Sequence, residues 1–209
     1  MSGKYTHVIW DFNGTILDDV ETVISANNAM LSRRNMPLIK DREQYLSLID
    51  VPMLDFYRSL GFDLEKEVFE EIAVEWGDDY RRAAKYAHLY PDVKDTLKRF
   101  KNAGLKQVII SASEKNLLKD QLSALGIADY FEEVLGLDDF HTIDKTEIAK
   151  EWRKCNPDAV AILIGDTEND VNIAKHMSCD CILKEGGHRN RASLSRHNLP
   201  IISDTSELI

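Results

Sequence analysis

Asp11-Phe-Asn-Gly-Thr-Ile16 begins where the apolar run His7-Val-Ile-Trp10 ends, and it is the sharpest chemical signal in the chain. A carboxylate can attack phosphorus and carry the group as an aspartyl-phosphate. Gly14 lets the backbone turn closely around a phosphate, and Thr15 offers a hydroxyl. An ordinary turn would explain these residues, but not a second acid at the end of a second apolar run. Gly165-Asp-Thr-Glu-Asn-Asp170 follows the run 159–164 and sets two carboxylates four residues apart. That spacing suits Mg2+, which takes a few carboxylates and keeps several waters. It equally suits the first turn of a helix, whose dipole favours acids, and the two uses are compatible. Ser111, with Ala112, follows a third run at 107–110. Lys145 falls in the expected first turn of a helix, where a cation opposes the dipole at a cost below ~1 kcal/mol. A lysine that holds a phosphate oxygen and the nucleophile's charge accounts for that placement.

These residues need a scaffold that brings strand ends together. Runs of apolar residues without alternation, at 7–10, 107–110 and 159–164 and more weakly at 179–183 and 199–202, suit strands buried on both faces. Helical patterns lie between them. One spans 92–103 and closes at Gly104; a second spans 113–125, with Ser113 as N-cap, and closes at Gly126. Asp144-Lys-Thr-Glu147 reads as a capping box opening a helix to about Lys154, and 168–177 forms a fourth. The alternation predicts an α/β fold: a doubly wound, mostly parallel sheet with right-handed crossovers. In such sheets ligands bind beyond the carboxyl ends of the strands, where Asp11, Ser111 and Asp166 would meet.

The stretch 18–87 differs, because no strand pattern appears in it. Val20, Val23, Ile24, Met30 and Leu31 form one helical stripe, and Leu64, Val68, Ile72 and Trp76 form another. Shorter helices are expected at 42–49 and 52–60. The expected organisation is therefore a core of 1–17 and 88–209 with a helical insert at 18–87, the joint marked by Pro91.

With 209 residues, 44% hydrophobic, the chain can bury a sizeable core. A formal net charge of -10 disfavours a nucleic-acid partner, and an acidic protein that binds phosphate needs a local cation. No apolar stretch approaches the ~20 residues that span a bilayer. The first residues lack a secretory pattern, so a cytoplasmic location without membrane association is expected. Cys155, Cys179 and Cys181 have no metal-ligand spacing and read as buried structural thiols.

Taken in order, Asp11-Phe-Asn-Gly-Thr15, Ser111, Lys145 and Gly165-Asp-Thr-Glu-Asn-Asp170 resemble the four motifs of the haloacid dehalogenase-like (HAD) hydrolase superfamily. Tyr90-Pro-Asp-Val-Lys-Asp-Thr-Leu97 resembles the segment after the cap in phosphoglycolate phosphatase-like members. The resemblance covers essentially the whole chain, and the insert corresponds to the family's mobile cap. It implies a Rossmann-like core and a magnesium-dependent phosphatase acting on a small phosphorylated metabolite. Asp11 would be nucleophile and metal ligand, the backbone carbonyl of Asn13 a second ligand, and Asp166 and Asp170 the remaining metal ligands. Gly14, Thr15, Ser111, Ala112 and Lys145 would bind the phosphoryl group.

Asn13 departs from the family pattern, which places a second aspartate there as acid and base. Asparagine keeps the shape and the backbone carbonyl but cannot cycle a proton. The loss should slow hydrolysis by roughly 10²–10⁴-fold. A histidine could substitute, with His141 and His188 in loops near the site; an acyl phosphate would need no proton; or the phosphoenzyme could persist. Two other functions follow from the same residues. A phosphonoacetaldehyde hydrolase-like enzyme would need an imine-forming lysine in the insert, where Lys40 and Lys66 lie. A regulatory protein would keep the phosphate pocket without turnover.

Overall fold

The computed structural model describes residues 3–138 and 144–208. Strand β1 (His7–Trp10) leads through β2 (Leu17–Asp18) into four helices: α1 (Val20–Arg33), α2 (Arg42–Leu48), α3 (Met53–Ser59) and α4 (Phe69–Ala83). The chain returns through β3 (His88–Leu89), α5 (Val93–Asn102), β4 (Lys106–Glu114), α6 (Lys115–Ala124) and β5 (Glu133–Leu137). It ends with α7 (Thr146–Cys155), β6 (Ala161–Gly165), α8 (Glu168–Met177), β7 (Asp180–Lys184), α9 (Arg191–Ser195) and β8 (Ile201–Ile202).

Six strands form one parallel sheet in the order β5-β4-β1-β6-β7-β8, the doubly wound α/β arrangement expected. Side chains alternate across it. Val8 and Trp10 face one layer with Leu97 and Phe100 of α5 and Leu118 and Leu122 of α6. Ile9 faces the other, with Ala149 and Trp152 of α7 and Val171 and Ala174 of α8. Because helices cover both faces, no strand position can be polar without cost, and the apolar runs follow.

The four helices 20–83 bury a separate cluster that includes Val20, Ile24, Met30, Leu31, Phe56, Ile72 and Tyr80. Of the second expected stripe only Ile72 is buried. Helix α4 starts at Phe69, so Leu64 lies before it and Val68, as N-cap, is 53% exposed. The chain enters and leaves this module through the antiparallel pair β2–β3, with Leu17 opposite Leu89 and Asp18 opposite His88.

Several local expectations need correction. Strand β4 runs past Ile110 to Glu114, with a register irregularity against β5 between those residues. Glu114, not Ser113, caps α6: its carboxylate accepts from the Asn116 and Leu117 amides at 2.8 and 3.0 Å. At α7 the capping box is absent. Asp144 accepts from the Thr146 amide at 2.8 Å, while Glu147 pairs with Lys150 instead of reaching back. Cys181 is buried and Cys179 partly so, but Cys155 is exposed at the end of α7. Among the described residues no helix is long and apolar enough to cross a membrane.

Candidate active site

The register of β1 places the site. Trp10 lies opposite Ile109 of β4 on one side and Ile164 of β6 on the other. Asp11 is therefore level with Ile110 and Gly165, and the next step on each neighbour is Ser111 or Asp166. Helix α8 then returns Asp170 to the same point. Side-chain oxygens of Asp11, Asp166 and Asp170 lie within 4.8 Å of one another, and all three residues are buried.

Lys145 is 3% exposed and spends its three donors here. Its Nζ donates to the Asp11 carboxylate, to Asp170 Oδ1 at 2.8 Å and to the Ile110 carbonyl at 3.2 Å. The residue lies at the N-cap of α7, still at the positive end of the helix dipole, and the two carboxylates offset that conflict. Burial alone lowers an ammonium pKa, but the Asp11 and Asp170 charges outweigh it and hold Lys145 protonated. Asp11 is pushed well above the usual carboxylate range, first by burial and then by Asp170 and Asp166, with Lys145 opposing. Asp166 is also raised, mainly by burial.

The carboxylates are unequally free. Asp170 Oδ2 accepts from the Asp166 and Thr167 amides at 3.2 and 3.1 Å and from the Thr167 hydroxyl at 2.9 Å, as part of a capping box for α8. Asp170 thus serves the helix end and the site together. Asp166 Oδ2 accepts from the His188 amide at 2.6 Å, while among the described residues Asp166 Oδ1 and Asp11 Oδ2 have only the Thr15 hydroxyl, at 3.4 Å each. Three buried carboxylates against one ammonium, with two oxygens nearly unengaged, form a donor set that fits Mg2+. Gly14, at φ +73°, and Gly187 line this space closely: a Cβ at either would collide with the Asp166 carboxylate.

Asn13 is held on the module side of the site. Its Nδ2 donates to Asp19 Oδ2 at 2.6 Å and to Tyr80 Oη at 2.7 Å, and its Oδ1 accepts from Ser113 Oγ at 2.5 Å. Because a carboxylate only accepts, Asp19 fixes which way the amide points. Tyr80 also donates to Asp19 Oδ2 at 2.8 Å, and the Gly14 amide donates to Asp19 Oδ1 at 3.0 Å. His188 completes the group: Nε2 lies 3.1 Å from Asp19 Oδ1, and Nδ1 lies 2.9 Å from Tyr45 Oη. Burial would lower the His188 pKa, but the Asp19 charge and hydrogen bond raise it to about 9. Burial would raise Asp19, but His188, Asn13 and Tyr80 bring it below its usual value.

Asp11, Asn13, Ser111, Ala112, Lys145 and Asp166 all line one cavity of about 790 Å³ between the sheet edge and the module. Asp170 and Thr15 sit just behind its wall. Ser111 Oγ accepts from the Ser113 amide at 3.1 Å on the irregular end of β4. His188 lies in the cavity lining, whereas His141 falls outside the described residues. Lys40 and Lys66 are absent from the lining, and Lys66 is paired with Asp63 on the surface. Asp19, Tyr80, Tyr45, Ser113 and Gly187 carried no signal in the sequence. Each joins the site from a different element, so spacing alone could not assemble them.

The haloacid dehalogenase-like hydrolase family model matches residues 8–184. A phosphoglycolate phosphatase from Vibrio vulnificus (strain YJ016) is 27% identical, covering 95% of this chain and 91% of the relative. Among solved structures, a haloacid dehalogenase-like hydrolase from Streptococcus pneumoniae superposes with a TM-score of 0.84 at 18% identity, covering 98% and 97% of the two chains. CbbY from Rhodobacter sphaeroides, solved with phosphate, gives 0.74 at 18% identity, covering 98% and 96%. With the match running through all four motif regions, the chain belongs to the haloacid dehalogenase-like hydrolase family.

Proposed function

We propose that the protein is a magnesium-dependent phosphatase of small phosphomonoesters, similar to phosphoglycolate phosphatase, working through an aspartyl-phosphate on Asp11. The observation that carries this reading is the buried group of Asp11, Asp166, Asp170 and Lys145 at adjoining strand ends. Asp11 and Asp166 would hold Mg2+ with the Asn13 backbone carbonyl, and Asp170 would assist. When bound there, the metal would neutralise charge on the phosphoryl oxygens. Lys145 and Ser111 steady those oxygens, joined by backbone amides near Gly14 and Ala112. Asp11 attacks phosphorus, the ester P–O bond breaks, and the leaving oxygen takes a proton from a water molecule; the hydroxide or a second water then hydrolyses the acyl phosphate, releasing phosphate and freeing Asp11. The core is 1–17 and 88–209, and 18–87 is the cap that excludes bulk water.

Asn13 supplies no proton in either half-reaction, so turnover is slower by roughly 10²–10⁴-fold than with a competent acid. The test is phosphate release from a panel of phosphomonoesters, with and without Mg2+. Activity is expected only with the metal and only with Asp11 present. An Asp11→Ala variant as active as the wild type would sink the reading.

A further inference from the structure

The wall of the cavity that faces the phosphoryl end is built of rings and aliphatic chains. Phe56, Tyr57, Phe69, Trp76 and Tyr80 line it, with Leu117 from the core side. Several rings support one another: Trp76 stacks on Tyr80 at 4.9 Å, and Tyr57 meets Phe69 edge-on at 5.8 Å. At the mouth Val51 is 41% exposed beside Pro52 and Met53, an apolar approach from solvent.

No lysine or arginine from 18–87 reaches this lining. Arg33 at the end of α1 and Arg34, its C-cap, are instead tied to Glu75, Asp79 and Glu67 away from it. On the core side, Lys145 is committed to Asp11 and Asp170, His188 to Asp19, and Arg189 to Glu168. Lys175 and His176 lie exposed on α8. The polar exceptions on the module wall are few. Asp19 is engaged as above, and Asn27 donates Nδ2 to the Val23 carbonyl while its buried Oδ1 has no partner among the described residues.

A second carboxylate or phosphate on the substrate would therefore leave its hydration for a module wall with no counter-charge, a desolvation that nothing from 18–87 offsets. An uncharged apolar group gains on the same wall, at about 25 cal/mol per Å² removed from water. We infer that the leaving group is an uncharged, predominantly apolar alcohol of aryl or arylalkyl character. Phosphoglycolate and sugar bisphosphates are thereby disfavoured. The inference rests on the phosphatase reading for its chemistry and on the cavity alone for its selectivity.

The experiment compares 2-phenylethyl phosphate with phosphoglycolate, both alkyl esters, so that intrinsic leaving-group reactivity does not decide the result. In parallel, isothermal titration calorimetry measures binding of the non-hydrolysable pair phenylethylphosphonate and phosphonoacetate to the magnesium-loaded protein. The aryl member should be favoured by about 100-fold in kcat/KM and in Kd. Trp76→Ala and, separately, Phe69→Ala should each reduce that preference by about 10-fold. Equal or better use of phosphoglycolate and phosphonoacetate would overturn the inference, as would an aryl preference untouched by both substitutions. If no ester is turned over but the phosphonates keep the preference, hydrolysis is refuted and the assignment of the cavity stands.

Discussion

Asn13 occupies the position where a proton-cycling aspartate is expected, and its surroundings are built for an amide. Nδ2 faces Asp19 Oδ2 at 2.6 Å, so an aspartate here would set two carboxylates against each other in a buried site. Like charges that close cannot both ionise; one would stay protonated at a cost in stability. Asn13→Asp alone should therefore lose about 1–3 kcal/mol of stability at pH 7 and gain little activity. Adding Asp19→Asn returns a donor to the pair and should recover the stability, and with it a gain in phosphate release. Urea unfolding of both variants beside the wild type checks this. A single variant as stable as the wild type would show that Asp19 does not hold position 13 as an amide.

At the scale of elements, the loop after α2 carries a latch between module and core. Asp50 accepts from Ser193 Oγ at 2.7 Å and pairs with Arg196 at 3.1 Å and Arg189 at 3.8 Å. Partly exposed ion pairs are individually worth about 0–1 kcal/mol, so Asp50→Ala should hardly move global stability. It should loosen the closed arrangement and speed amide hydrogen exchange in α2 and α3. Unchanged exchange there would dismiss the latch. The elements also explain what could be read in advance. Strands β1, β4 and β6 are buried on both faces, and their ends deliver Asp11, Ser111 and Asp166 by local sequence alone. Lys145 was legible because it sat oddly. Edge strand β5, interrupted by Gly136, has too little apolar pattern, and the two-residue strands β2 and β3 have none. The capping of α6 by Glu114 is not legible in the sequence because Ser113 is the commoner capping type, yet the Ser113 hydroxyl is spent on Asn13. Asp19, Tyr80 and Tyr45 meet only after α1, α2 and α4 have packed.

For the whole molecule, the proposed Mg2+ site, three buried carboxylates opposed by one lysine, would make the native state a better ligand for the ion than the unfolded chain, where the same groups are dispersed. Mg2+ at 100 times its Kd should stabilise the fold by about 2.7 kcal/mol, and chelation should remove that increment. Thermal unfolding with Mg2+ against EDTA measures it, with Asp166→Asn as control. Equal melting temperatures would count against a metal site here. The pair β2–β3 bears on a different question. Residues 17–18 and 88–89 run side by side, so the strand register that sets Asp11 against Ser111 and Asp166 is closed before the module begins. Substitutions between them can reshape the aromatic wall without disturbing that register. A different insert grafted at these two joints would keep the register, and would keep the chemistry as far as it again supplied the partners that Asp19, Tyr45 and Tyr80 give to Asn13 and His188.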